Sequence, residues 1–206
     1  LNEYQKAAVF DESSACLVNA NVGSGKTTVL ITKVMYLHYE KQIPYEQMVV
    51  LTFTNKAADE IKERLYALEP EIKEEQLWGF GTFHSVCLTM LKKMLPVENL
   101  GYTKEFMVMD NTCKLVKMSA EIEEVSKKNA NLQDNENTGM QDISWIIVDE
   151  VQDSDEKQLE FIDCLKKTQT CFFAVGDPNQ VIYSWRGSAF HIFYQLKTKY
   201  QATELT

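Results

Sequence analysis

The sequence predicts an α/β fold, a parallel β-sheet flanked by helices. Three observations carry that expectation. Short apolar, β-branched runs alternate with longer stretches whose apolar residues recur at helical spacing. Strands that alternate with helices pair in parallel through crossover connections. The first strand-like run ends in a glycine-rich turn that opens a helix. With 206 residues, 45% hydrophobic and 25% charged, the chain has average globular composition and can bury a core.

The elements follow in chain order. Residues 15–20 (ACLVNA) form a short apolar strand before the glycine turn, and residues 26–39 continue as a helix with Val29, Leu30, Val34 and Leu37 at helical spacing. Residues 48–53 (MVVLTF) are β-branched and aromatic, which marks a second buried strand. Asn55 is placed to cap a helix over 56–65, whose Ala58, Ile61 and Leu65 share a face. Residues 83–95 read as a helix stopped by Pro96. Residues 143–148 (ISWIIV) and 171–175 (CFFAV) are buried strands, accompanied by helices at 155–167 and 189–199. Residues 127–141 (KKNANLQDNENTGMQ) break the rhythm. Polar and Asn-rich, they read as a linker or loop tip.

Charge and cysteine usage exclude several classes. Lys and Arg number 21 against 30 Asp and Glu, a net charge of −9. An acidic total argues against a surface that wraps nucleic acid throughout, though not against a local basic or aromatic track. Five scattered cysteines without a CxxC pair, and three histidines away from them, argue against zinc and for reduced thiols, hence a cytoplasmic protein. No apolar run nears the roughly 18 residues of a membrane span. No charged-then-apolar leader opens the chain at Leu1.

The chemistry concentrates at two strand ends. Residues 19–28 read NANVGSGKTT between a strand and a helix. Ala20 stands where a GxxxxGK[ST] phosphate loop has its first glycine; Gly25, Lys26 and Thr27 complete the pattern, with Gly23 and Ser24 between. Glycines let successive N–H groups turn toward phosphate oxygens, and the helix N-terminus adds positive potential. Lys26 neutralises the β- and γ-phosphates of ATP, and Thr27 offers Mg²⁺ a hydroxyl. At the end of another strand, residues 146–150 (IIVDE) supply two acids. Asp149 is assigned to Mg²⁺ and Glu150 to the proton of an attacking water. Strand alternation is expected to send the two side chains different ways.

Further motifs stand in fixed order: LNEYQKAAV at 1–9, LTFTNKAADEIKERL at 51–65, GTFHSVCLTML at 81–91, DEVQD at 149–153 and AVGDPNQVIYSWRG at 174–187. Together with the phosphate loop they resemble UvrD/PcrA/Rep-type superfamily 1 DNA helicases over most of the chain. The resemblance implies a P-loop NTPase with a RecA-like sheet, residues 1–206 forming the first motor domain and 97–142 a shortened accessory insertion. It implies that Gln5 reads the adenine edge, that residues 23–28, including Thr28, hold the phosphates, and that Gln180 links hydrolysis to DNA. It assigns Phe53, Thr82, His84, Tyr183, Trp185 and Arg186 to segments touching single-stranded DNA. It also implies 3′ to 5′ movement and, as partner, a second RecA-like domain of the same protein, which the chain does not include. Thr28 departs from the arginine often found there.

Residue chemistry supports the DNA assignment independently. Aromatics at the sheet edge stack on bases at about 1–3 kcal/mol each, without sequence preference. Arg186 beside Trp185 can pair with phosphate or stack. Phe53 fits ordinary core packing as well, and His84 also suits a helix cap. Two rival readings remain: a non-enzymatic nucleotide- and DNA-binding module, which has no need of Glu150, and a P-loop kinase, which leaves the loop at 180–186 unexplained.

Overall fold

The computed structural model describes residues 1–21, 23–93, 142–177 and 189–205, the side chains of residues 189 and 190 excepted. Within them, six strands form one sheet of order β3-β2-β4-β5-β1-β6, every adjacent pair parallel. The strands are β1 (Ala15–Asn19), β2 (Met48–Thr52), β3 (Phe80–Thr82), β4 (Trp145–Val148), β5 (Cys171–Gly176) and β6 (Thr203–Leu205). The helices are α1 (Glu3–Phe10), α2 (Lys26–Tyr39), α3 (Asn55–Leu68), α4 (Phe83–Lys93), α5 (Glu156–Leu165) and α6 (Ala189–Tyr200). Of the predicted insertion at 97–142, only Asp142 is described.

Strand alternation splits the core into two layers. Cys16, Val18, Val50, Ile147, Phe173 and Val175 pack with α1, α2 and α3. Leu17, Leu51, Ile146, Val148, Phe172 and Ala174 face α4, α5 and α6. A sheet covered on both faces needs strands that are apolar throughout. That is why β2 and β4 are buried at every position.

The expected strands and helices are present, with boundaries shifted by a few residues. The cap of α3 differs. Thr54 holds the extended N-cap geometry, φ −129° and ψ 145°, and its side chain accepts from Ala57 N at 3.1 Å. Asn55 is already the first helical residue, so it cannot take the role. Burial of Ile61 and Leu65 is worth about 1.5–3 kcal/mol each, against about 1 kcal/mol for a cap. Packing therefore makes this helix, and the cap fixes where it begins.

Elements absent from the sequence reading are α1, β3 and β6. No described helix is long and apolar enough to cross a membrane. For the cap, Thr54→Ala is expected to lower the unfolding free energy by about 1 kcal/mol and Asn55→Ala to leave it within about 0.5 kcal/mol. Urea unfolding monitored by circular dichroism measures both, and a larger loss at Asn55 would return the cap to that residue.

Candidate nucleotide and nucleic-acid site

Because the paired strands all run the same way, their C-terminal ends form one edge, the edge where α/β sheets take ligands. Moving inward from β3, that edge carries Thr82, then Phe53 after β2, Asp149 and Glu150 after β4, Asp177 after β5, and the glycine-rich loop after β1.

The loop between β1 and α2 begins with a last sheet bond, from Ala20 N to Gly176 O at 2.9 Å. Gly23 and Gly25 then adopt φ of +74° and +82°, a conformation that penalises any Cβ. Gly25 also packs under Gln5: a Cβ there would lie 2.9 Å from Gln5 Nε2. Gly25 is the N-cap of α2 and provides no side-chain hydrogen bond, so the first N–H groups of the helix keep their demand for acceptors. Among the described residues, Ser24 Oγ is buried without a hydrogen-bond partner. Such an atom calls for a ligand or an ion, and with the uncapped helix start it fits phosphate oxygens. Thr27 is half-buried and Thr28 exposed on the first turn of α2.

Gln5 reaches this loop from α1. It forms a capping box with Asn2: Gln5 N donates to Asn2 Oδ1 at 2.8 Å, and Asn2 N donates to Gln5 Oε1 at 2.9 Å. Gln5 Nε2 donates to Ser24 O at 2.7 Å. Beside it opens a cavity of about 400 Å³ whose walls include Tyr4, Gln5, Asn19, Val29, Val175 and Leu205. Apolar walls with a few amides suit a heterocyclic ring.

The acids stand across β5. Asp149 N continues the ladder, donating to Leu51 O at 3.0 Å. Glu150 leaves it in the left-handed region, φ 49° and ψ 44°, uncommon for a residue with a side chain. This turn, rather than the strand alternation expected from the sequence, separates the two carboxylates, since β4 ends at Val148. Lys26 Nζ contacts Glu150 Oε2 at 2.8 Å. Gln152 Nε2 donates to the same oxygen at 2.8 Å, while Gln152 Oε1 accepts from Asp177 N at 3.0 Å. Gly176 leaves room for that amide, because a Cβ there would overlap Gln152 Oε1.

Asp149 is buried, 7% exposed. Burial first, then the neighbouring charge of Glu150, pushes its carboxyl up to about 6, against the pull of Lys26 and of the Glu150 N–H. A buried carboxylate held near like charge is a fit for a divalent cation. A carboxylate and a hydroxyl, those of Asp149 and Thr27, are the hard oxygen donors that Mg²⁺ accepts.

At the far side of the edge, Phe53 is half-buried and tilts against Phe83 with ring centroids 5.3 Å apart. It joins the core at one face and keeps part of its surface open. Thr82 Oγ1 accepts from Ser85 N at 3.2 Å and so helps start α4. His84 is exposed on the first turn of α4; the hydroxyl of Thr82, not the imidazole, takes the bond at this helix start. Gln180, Tyr183, Trp185 and Arg186 lie outside the described residues.

The family model for the UvrD/REP helicase N-terminal domain matches residues 1–145 and 137–201. The chain belongs to this family. Relatives of this UvrD/REP domain include the ATP-dependent DNA helicase Rep of Buchnera aphidicola subsp. Schizaphis graminum, 30% identical over 91% of the chain and 38% of the relative. The Rep of Buchnera aphidicola subsp. Acyrthosiphon pisum is 28% identical over 96% of the chain and 40% of its own length. The ATP-dependent DNA helicase UvrD1 of Mycobacterium leprae is 37% identical over 53% of the chain and 14% of its own length. The chain spans about half or less of the length of the curated relatives it matches.

Gln152 is the site residue that sequence reasoning missed. The motif DEVQD contains it, but its bond to Asp177 joins the segments that follow β4 and β5, 25 residues apart in sequence. An amide two residues past an acid pair, able to donate and accept at once, is the available signal.

In this UvrD/REP domain the raised pKa of Asp149 has a stability consequence. The folded value of about 6 lies above the ordinary 3.8, so ionising the group opposes folding. The cost is absent below about pH 4 and fully present above about pH 6, on the order of 3 kcal/mol. Asp149→Asn, which keeps an acceptor for Glu150 N, is expected to melt higher than wild type at pH 7.5 in chelator. That advantage should fade toward pH 4. Equal melting temperatures at pH 7.5 would remove the burial argument.

Proposed function

We propose that the chain is the ATP-binding motor domain of an ATP-dependent DNA helicase or translocase that acts on single-stranded DNA in the cytoplasm. The observation that carries the reading is the contact of Lys26 with Glu150 at 2.8 Å. It joins a phosphate-loop lysine to a carboxylate held for proton transfer. The names of the Rep and UvrD1 relatives, ATP-dependent DNA helicases, support it.

The residues divide the work as follows. Gly23, Ser24, Gly25, Thr27 and Thr28 cradle the phosphates of ATP, with Gln5 at the base. A γ-phosphate beside Lys26 competes with Glu150 for the ammonium. Released from that pair but still held by Gln152, Glu150 takes a proton from water, a contribution of about 10²–10⁴ in rate. Thr27 and Asp149 hold Mg²⁺, which when bound neutralises charge on the phosphates. Gln180 then relays the change to Phe53, Thr82, His84, Tyr183, Trp185 and Arg186 on single-stranded DNA, giving 3′ to 5′ movement. A second RecA-like domain of the same protein supplies the cross-site arginine, worth roughly 10³–10⁵ in rate; the 206-residue chain alone therefore turns ATP over poorly. Residues 97–142 are a shortened accessory insertion. The Rep alignment runs over 254 positions although the chain has 206, so that relative carries residues with no counterpart in this chain.

The test uses the complete gene product. Single-stranded DNA is expected to raise its ATP turnover. Glu150→Gln should lower turnover by about 10²–10⁴ while ATP still binds, and Lys26→Ala should weaken binding itself. ATP binding without DNA-stimulated turnover, or wild-type turnover in Glu150→Gln, would leave a non-enzymatic binding module as the better reading.

A further inference from the structure

Lys33 has no part in the chemistry above, yet it is fully buried. Burial, the largest effect on it, holds its ammonium below the usual lysine range. An isolated buried charge is costly, and an apolar side chain of similar length would fill this space without that cost. The ammonium adds two hydrogen bonds. Lys33 Nζ donates to Val9 O at 2.9 Å and to Asp11 O at 2.7 Å. Val9 lies in the last turn of α1 and Asp11 is its C-cap. Those carbonyls lack partners within the helix, and they carry its negative end. The last turn of α1 has no basic residue of its own, so α2 supplies the cation. The rings of Trp145 and Phe173, 4.8 and 5.3 Å from Nζ, wall the charge in.

The opposite end of α1 carries Gln5, whose Nε2 donates to Ser24 O in the phosphate loop. An eight-residue helix is about 12 Å long, short enough to move as one rigid piece. It is therefore pinned twice to one unit, at its start to the loop that opens α2 and at its end to α2 itself. Beside this clamp, Ala8 and Val9 of α1 share a buried apolar cluster with Leu30, Val34 and Leu37 of α2, and the half-exposed Phe10 meets Tyr36 with ring centroids 5.1 Å apart. Lys33 is the buried polar part of the joint.

We propose that Lys33 is a positioning residue for base recognition: by holding the C-terminal carbonyls of α1 against α2, it fixes where the Gln5 amide stands over the phosphate loop. The inference rests on the reading that Gln5 meets the base of ATP. Isothermal titration of the 206-residue chain with MgATP and with magnesium tripolyphosphate gives a ratio of affinities that isolates the contribution of the nucleoside. Gln5→Ala is expected to lower this ratio about fivefold, roughly the worth of one hydrogen bond. Lys33→Met and the milder Lys33→Gln should lower it by a similar factor, with tripolyphosphate affinity within about twofold of wild type. Leu165→Ala, in the core on the opposite face of the sheet, should lower the melting temperature and keep the ratio. If Gln5→Ala leaves the ratio unchanged, the base reading fails and the inference falls with it. If Gln5→Ala lowers it but neither Lys33 variant does, the inference alone is overturned. It is overturned as well if the Lys33 variants weaken both ligands equally, or if Leu165→Ala shifts the ratio too.

Discussion

The contact between Lys26 and Glu150 is the constraint around which the rest is arranged. β5 lies between the strands that carry them. Two strand spacings of about 4.8 Å keep their backbones roughly 10 Å apart, so only long side chains can meet. Gly25, in its left-handed conformation, starts α2 with Lys26 pointing over the edge. Glu150 bends back through its own left-handed turn. Gln152 then fastens the carboxylate to the tip of the intervening strand. Lys26 and Glu150 are 11% and 35% exposed, and a partly solvated pair of this kind adds at most about 1 kcal/mol to stability. Its value is geometric: it places a cation and a carboxylate side by side at one sheet edge.

The two-sided core is what makes that geometry rigid. Each central strand is locked from both faces, so the loops at its end leave a fixed frame. The division of labour along the edge follows from strand order. β1, β5 and β4 bring the phosphate loop and the acids together, while β2 and β3 bring Phe53 and Thr82 alongside each other. β2 pairs directly with β4 through Leu51 and Val148. A rearrangement at the acids thus has a hydrogen-bonded neighbour in the strand that leads to Phe53.

Much of this was legible because the signals were local. The strands at 48–52 and 171–176 are dense in apolar residues, and the glycine spacing of the phosphate loop is rigid chemistry. What escaped was set by distant partners. Helix α1 shows little apolar periodicity, burying only Ala8 and Val9; it is recognisable by its capping box and its docking on α2. β3 and β6 have three residues each, too few for alternation to register. The role of Lys33 was invisible because a lysine in a helix reads as solvated unless the neighbouring element is known. Thr54 and Asn55 are both good caps, and only backbone angles choose between them. A pleat was expected to part Asp149 from Glu150, but a left-handed turn at Glu150 does so instead.

The pairing of β1 has a bearing on how the molecule is made. Ala15 aligns with Phe172 and Cys16 with Thr203, so both neighbours of β1 are strands far downstream of it in sequence. Closing such loops carries an entropic charge before any contact is gained, and sheets joined by distant residues form slowly. During translation the β2–β3 pair can assemble while the phosphate-loop strand waits, apolar and unpaired, for the end of the sheet to emerge. The loop between β1 and α2 therefore gains its fixed frame late in folding, once the downstream strands are available to pair with β1.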